Sequence, residues 1–373
     1  AHSQCSSPYT IDYSGSIVTW TVPSDVTSVN IAAYGAPGGD KVAIRGGVGA
    51  IMKGDFAVRP GQVLYILVGA KGDGSGSGSG AASNSSSAGG GGGTFVWKGL
   101  FSNNTDTLLI AAGGGGGASK GSLNPVSRKD ASTANNGKNT DTSALNGGTN
   151  GNGGGLGNIG TNGGGAGWLT NGKDGSLNSG GKSPRNGGAG GALATSTSGA
   201  GGFGGGGGGG HGGGGGGGYS GGGAGPWSNP GVAGAGGGSY NNGTNQVNTL
   251  NTVTNVHGKV VITFTSSFKE EINVKGNGAS IADADVTPSV NDNTDFSNVG
   301  VNSPVTKTFT IENTGTGTLF ISGVSVTGTN ASEFVASSVP SSVSAGNSQT
   351  FNITFTSTAA GSRTAVVHIA NSG

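Results

Sequence analysis

Few of the groups able to transfer protons, ligate metals or attack carbonyls fall at a spacing that builds a reaction centre. The 373 residues include four histidines and one cysteine. His2 lies at the start of the chain, His211 interrupts a run of glycines, His257 precedes an apolar run, and His368 alternates with Val366. None has a carboxylate or nucleophile at the spacing of a general-base pair or a triad. Cys5 stands alone, so an intrachain disulfide and a cysteine-based zinc site are both excluded. The glycine runs contain no lysine-bearing phosphate loop, and G-x-G-x-x-G occurs in polyglycine by necessity, without meaning.

Oxygen ligands are denser. The stretch "IADADVTPSVNDNTD" holds Asp283, Asp285, Asn291, Asp292, Asn293 and Asp295. A hard cation such as calcium takes about six to eight oxygens, so Asp283, Asp285, Asp292 and Asp295 are candidate ligands. The spacing is not that of an EF-hand, and the alternative is a polar loop ahead of "DFSNVGV". Trp168, Tyr219 and Trp227 sit in sequence too glycine-rich for a conventional core. Either they pack against a β body or they stand on loops where a glycan or protein ligand stacks on them. These residues point to binding without catalysis, with no cofactor beyond a calcium ion.

Composition narrows the partners. There are 86 glycines, 9% charged residues and a net charge of +1, against about 7% glycine and 25% charge in ordinary domains. Disorder by composition needs high net charge as well as low hydrophobicity, and here the charge is missing. No basic stripe with interleaved aromatics marks a nucleic-acid surface. No apolar run is long enough to span a membrane. The opening "AHSQCSS" reads as a mature terminus left by signal cleavage, which predicts a secreted or cell-surface protein.

The elements that must position these residues are strands. Ile17 to Val22, Val29 to Tyr34, "AIMKGDFAV", "GQVLYILVGAKG", "GTFVWKG" and "TLLIAAGGGGG" are short β-rich runs, several of them ending in glycine. "HGKVVITFTSS" supplies a closing strand, so residues 113–258 are an insertion within one domain spanning 1–267. Glycine recurs there in blocks, among them 113–117, 163–165, 204–210 and 212–218, separated by Asn/Ser/Thr/Asp turns. A threefold extended chain rises about 3.1 Å per residue and bonds nothing within itself. Its amides and carbonyls all face outward, so bare glycine segments can pack side by side and pair with their neighbours. The expectation is an all-β, jelly-roll-like domain carrying an inserted polyglycine-II helix bundle.

In order, "VPSDVTSVNIAAYGAPGG", "GQVLYILVGAKG", "GGGGGTFVW", "LLIAAGGGGGAS", "GFGGGGG", "GGGGGYSGG" and "GGGSY" resemble the glycine-rich domains of anaplastic-lymphoma-kinase-type receptor ectodomains and of bacterial secreted proteins. That likeness covers roughly residues 14–265 and implies a β body bearing polyglycine-II helices. From residue 270 the chain alternates with period two, with turns every 8–12 residues or so. Phe351, Ile353 and Phe355 share one face. "TIENTGTGTL", "GTNASEF" and "SAGNSQTFNITFTSTAAGSRTAVVHIAN" resemble the immunoglobulin-like choice-of-anchor D modules of Bacteroidota surface proteins, relatives of ASPM/Hydin-type domains. Members of that family continue beyond "IAN" into one more strand. The resemblance therefore implies either a longer chain or an edge open to a strand from a neighbouring subunit.

The function expected from these features is that of an adhesin or binding module at the cell surface, its type IX secretion implied by the Bacteroidota likeness. The alternative is a filament subunit whose module at 270–373 accepts a neighbour's "AHSQCSSPYTIDYSG". Ice binding would call for regularly repeated Thr or Ala on one face, which the irregular glycine blocks lack.

Overall fold

The computed structural model describes residues 7–23, 25–75, 86–101, 106–120, 126–140, 146–157, 161–176, 178–227, 231–253, 256–265 and 270–373. His2 and Cys5 lie outside these. The chain divides into two compact units, Ala1–Thr265 and Ser266–Gly373. Among the described residues no helix is long and apolar enough to cross a membrane.

Among the described residues ten strands build the first unit: β1 (Tyr9–Asp12), β2 (Ile17–Thr21), β3 (Ser28–Tyr34), β4 (Ala50–Ala57), β5 (Val63–Leu67), β6 (Thr94–Lys98), β7 (Thr107–Ala112), β8 (Tyr240–Asn241), β9 (Thr244–Leu250) and β10 (Lys259–Thr263). They form two five-stranded antiparallel sheets, ordered β1-β10-β3-β4-β9 and β2-β5-β6-β7-β8. Alternation sets which face is buried. Val260 and Ile262 of β10, Ile31 and Ala33 of β3, Leu64 and Ile66 of β5 and Trp20 of β2 join one buried cluster. The closing strand after the insertion takes its predicted place, pairing β1 on one side and β3 on the other. Two features differ from the sequence reading. β8 and β9 fall inside 113–258, because a two-residue strand and the wholly exposed "TNQVNTL" carry no apolar alternation to read. The segment expected to donate a strand to a neighbour is also used at home: Tyr9–Asp12 is β1.

Beyond the sheets, strands run on into glycine. β3 continues as residues 35–39, β5 as 68–73 and β7 as 113–118, while 88–93 lead into β6. There the pairing period changes from two to three. Gly213 and Gly216 donate to Val232 and Ala235, Gly214 and Gly217 to Ala88 and Gly91, and Gly215 and Gly218 to Gly163 and Ala166. Three successive amides thus point to three different neighbours, and the fourth returns to the first, as a threefold chain requires. No bundle of assigned helices is present among the described residues. Among the described residues the one α-helical turn is Val126–Lys129, and the glycine segments are extended chains cross-linked through their backbones. Glycine is obligatory at this spacing. A Cβ on Gly163 would lie 1.6 Å from the Ser179 carbonyl oxygen, and one on Gly92 1.7 Å from that of Phe203.

The second unit is a sandwich of β11 (Ile272–Gly276), β12 (Ala279–Ile281), β13 (Val305–Asn313), β14 (Leu319–Thr327), β15 (Phe334–Ser337), β16 (Ser342–Val343), β17 (Ser348–Phe355) and β18 (Val366–Asn371). Its sheets are ordered β12-β11-β13-β17-β15 and β16-β14-β18. Phe309, Ile311, Leu319, Ile321, Val343, Phe351 and Ile353 form its core. The Asn-Thr-Gly turn after Asn313 carries the chain across the sandwich, since β13 and β14 belong to different sheets. The Asn313 amide ties that crossing to the carbonyls of Gly317 (2.6 Å) and Val343 (2.9 Å). Glu333 accepts from the Thr358 amide at 3.0 Å and also from its hydroxyl, and pairs with Arg363 at 2.8 Å. These contacts, led by the Thr358 hydroxyl, hold its carboxyl below the usual value.

Neighbouring lattice positions should respond oppositely to one methyl group. In Gly154→Ala the new carbon lies 2.0 Å from the Gly222 carbonyl oxygen, whereas in Gly155→Ala nothing is nearer than 3.6 Å. We expect the first to cost about 3 kcal/mol or more and the second less than about 1 kcal/mol. Thermal unfolding and amide exchange over residues 213–218 measure both. A depressed carboxyl stabilises above its unfolded pKa, and that stabilisation disappears as pH falls through the lower folded value. Amide protection in β17 should therefore fall on acidification below about pH 4.3, and Glu333→Gln should flatten that dependence.

Candidate functional site

Large side chains are sparse among the glycine segments. Along the second sheet they form a buried aromatic layer: Leu67, Phe95, Trp97 and Trp168, with Phe101, Phe203, Tyr219 and Tyr240 packed against them. Trp168 is 5% exposed and meets the rings of Trp97 and Phe101 edge-on at 5.6 and 5.2 Å. The Arg185 guanidinium, paired with Asp106, lies over the rings of Phe101 and Trp168. Tyr219 stacks on Tyr240 at 4.8 Å. Of the two readings open for Trp168 and Tyr219, packing against the β body is the one the structure adopts. They are cement between sheet and lattice, and Trp168 has no face free for a ligand.

Trp227 is different. It is 59% exposed, the one exposed Phe, Tyr or Trp among the described residues of its unit. Its ring lies 5.5 Å from that of His211, tilted by 45°. His211 turns the chain between two antiparallel glycine segments, closed by bonds from Gly210 to Gly212 and from Gly207 to Gly215. Buried Asn162 holds the pair together. Its Oδ1 accepts from the Gly212 amide at 3.0 Å, and its Nδ2 donates to the Gly225 carbonyl two residues before Trp227. Thr161 accepts from the His211 amide at 3.4 Å. Ser87 and Ser119 bond each other at 2.9 Å and reach the carbonyls of His211 and Gly231. Nearby, buried Lys41 donates to Ser86, and burial, followed by the charge of Lys120, pushes its pKa down. An indole and an imidazole on a rigid base offer an apolar face and a hydrogen-bonding edge together.

The remaining sequence candidates have structural partners. His257 accepts from the Lys71 amide at 3.0 Å and lies against Tyr13. His368 on β18 shares a hydrogen bond with Thr327 of β14. Asp285 accepts from the amide and hydroxyl of Thr287, Asp292 from those of Thr294, and Asp295 from the amide of Ser297. Each of these three carboxylates closes its own turn, and the Thr287 hydroxyl leads in holding Asp285 below the usual carboxylate range. Together with Asp283 they were the calcium candidates. Among the described residues no group of three or more His, Cys, Asp or Glu side chains is arranged to hold a metal ion.

Trp20, Trp97 and Trp168 are all 5% exposed or less, so quenching by acrylamide should report Trp227 alone. Trp227→Phe should abolish the quenchable component without shifting the melting temperature. Trp168→Ala should cost about 3–5 kcal/mol. A quenchable fraction that survives in Trp227→Phe would contradict this arrangement.

Residues 289–373 match the family model described as HYDIN/CFA65/VesB-like, Ig-like domain. No curated protein matches the chain. The matched segment covers most of the second unit but less than a quarter of the chain. What it establishes is an immunoglobulin-like module at residues 289–373, in agreement with the sandwich found there.

Proposed function

We propose that this is a non-enzymatic binding protein of the cell exterior, an adhesin whose first unit holds a surface glycan or protein ligand against Trp227 and His211. One observation carries the reading. A large apolar ring stands in solvent at the turn of a backbone lattice that elsewhere in the unit packs its aromatic side chains away. Such a ring costs solubility unless a partner covers it, and exposed aromatics on rigid supports are common anchors of binding surfaces. Rigidity adds to the effect, because a pre-ordered site loses little entropy when it binds. Asn162 supplies that order by bonding the Gly212 amide of the His211 turn and the Gly225 carbonyl at once. The immunoglobulin-like module fits the role of a spacer. Strand donation between copies is the weaker reading, because Tyr9–Asp12 of the expected donor is already paired with β10.

A glycan array and a cell-binding assay with the full chain test the proposal. Trp227→Ala should reduce binding at least tenfold, about 1.4 kcal/mol, with an unchanged melting temperature. His211→Ala should weaken it less. Undiminished binding by Trp227→Ala would remove this site from the function.

A further inference from the structure

A threefold chain has three directions of pairing, and at the lattice surface one of them can be left open. One such opening is a groove of about 470 Å³ lined by residues 146–149, 152–155, 170, 171 and 173. Its interior sides follow the lattice rule. Gly154 donates to Gly165 and accepts from Lys173, and Gly155 donates to Asn146. Its open side does not. Among the described residues the carbonyls of Gly147, Gly153 and Asn171 accept no hydrogen bond, and the amides of Thr149 and Asn171 donate none. Side chains do not fill the deficit. The Asn171 amide group is turned by two donors, Ser183 N and Asn186 Nδ2, both on its Oδ1. Thr170 bonds the Gly153 amide and Asn152. Lys173 is the only charged residue along the groove.

We infer that this groove binds an extended glycine-rich peptide, which adds to the lattice as one more threefold chain. The logic is that of strand addition to a sheet edge: unpaired backbone donors and acceptors are a template for another backbone. The lattice itself specifies the residue type. Where its chains lie alongside each other, a Cβ would meet a carbonyl, as at Gly153, where one would lie 2.1 Å from Asn171 O, or Gly148, 2.1 Å from Asn152 O. A segment paired at that spacing must itself be bare. The groove offers no apolar recess for side chains and no paired charges for an ionic ligand. This site is separate from Trp227 and His211 and does not depend on their role.

The test is amide chemical-shift mapping on the full-length isotope-labelled protein with three probes: acetyl-pentaglycine amide, acetyl-pentaalanine amide and maltopentaose. Pentaglycine should shift the amides of Thr149, Gly153, Asn171 and Lys173 with roughly millimolar affinity, while pentaalanine leaves them in place. Thr149→Trp, an exposed position whose side chain would occupy the groove, should abolish the shifts without changing the melting temperature. Equal shifts with pentaalanine would overturn the inference, as would shifts with maltopentaose and none with pentaglycine. Silence from all three, or pentaglycine shifts that persist in Thr149→Trp, would overturn it too.

Discussion

The first unit depends on one close approach, a backbone carbonyl set against the Cα of a neighbouring chain with no room for a Cβ. At Gly90, Gly114, Gly165 and Gly216 an added Cβ would lie between 1.9 and 2.3 Å from a carbonyl oxygen of another segment. That distance allows lateral hydrogen bonds in three directions, and it excludes every other residue type. Ordering a residue costs about 1–2 kcal/mol in backbone entropy, and glycine stands at the expensive end. A hydrogen bond returns about 1 kcal/mol net. Amide pairing alone therefore does not hold the lattice together. The attachments supply what is missing. Many segments enter from a strand whose conformation the sheets already hold, so less of the entropy falls to the glycines themselves.

Side chains are accordingly placed at boundaries. Trp168, Phe203 and Tyr219 project from lattice segments onto Phe95, Trp97 and Tyr240 of the second sheet, converting an outer sheet face into a second core. Arg185 fixes the same boundary electrostatically, its charge shared between Asp106 and two aromatic rings. Asn162 and Asn146 act inside the lattice. Each uses a side-chain amide to satisfy backbone groups where chains turn, which a hydrophobic residue could not do.

How much was legible follows from which physics leaves a local trace. Alternation in β4 and β10 gives both strand and face, so these strands could be read directly. The glycine blocks announce close packing because nothing else tolerates the spacing. β9 could not be read, since "TNQVNTL" is exposed along its whole length and is held by register with β4 and by amide side chains such as Asn245 to Asp55. Trp168 and Trp227 look alike in sequence, each flanked by glycine or proline. What separates them is which end of a segment meets the sheet, and that is a property of the lattice register. The pairing of His211 with Trp227 is likewise invisible locally, because it passes through Asn162, far from both in sequence.

A scaffold of this kind distributes tolerance differently from an apolar core. In a core, stability resides in side-chain shape, and loops vary because they touch little. In the lattice, stability resides in the absence of side chains, so substitutions within segments are excluded almost uniformly while turn positions are released. His211 illustrates the release. Its neighbours Gly210 and Gly212 would each bring a Cβ within 2.5 Å of another atom, yet the turn between them accepts an imidazole. Turn residues gather where segments reverse, and they are held by backbone bonds that do not depend on their identity. Binding chemistry can therefore change at those turns without a compensating change in the interior. The same rule explains why Trp227, the one exposed Phe, Tyr or Trp among the described residues of the unit, lies beside a turn and not along a segment.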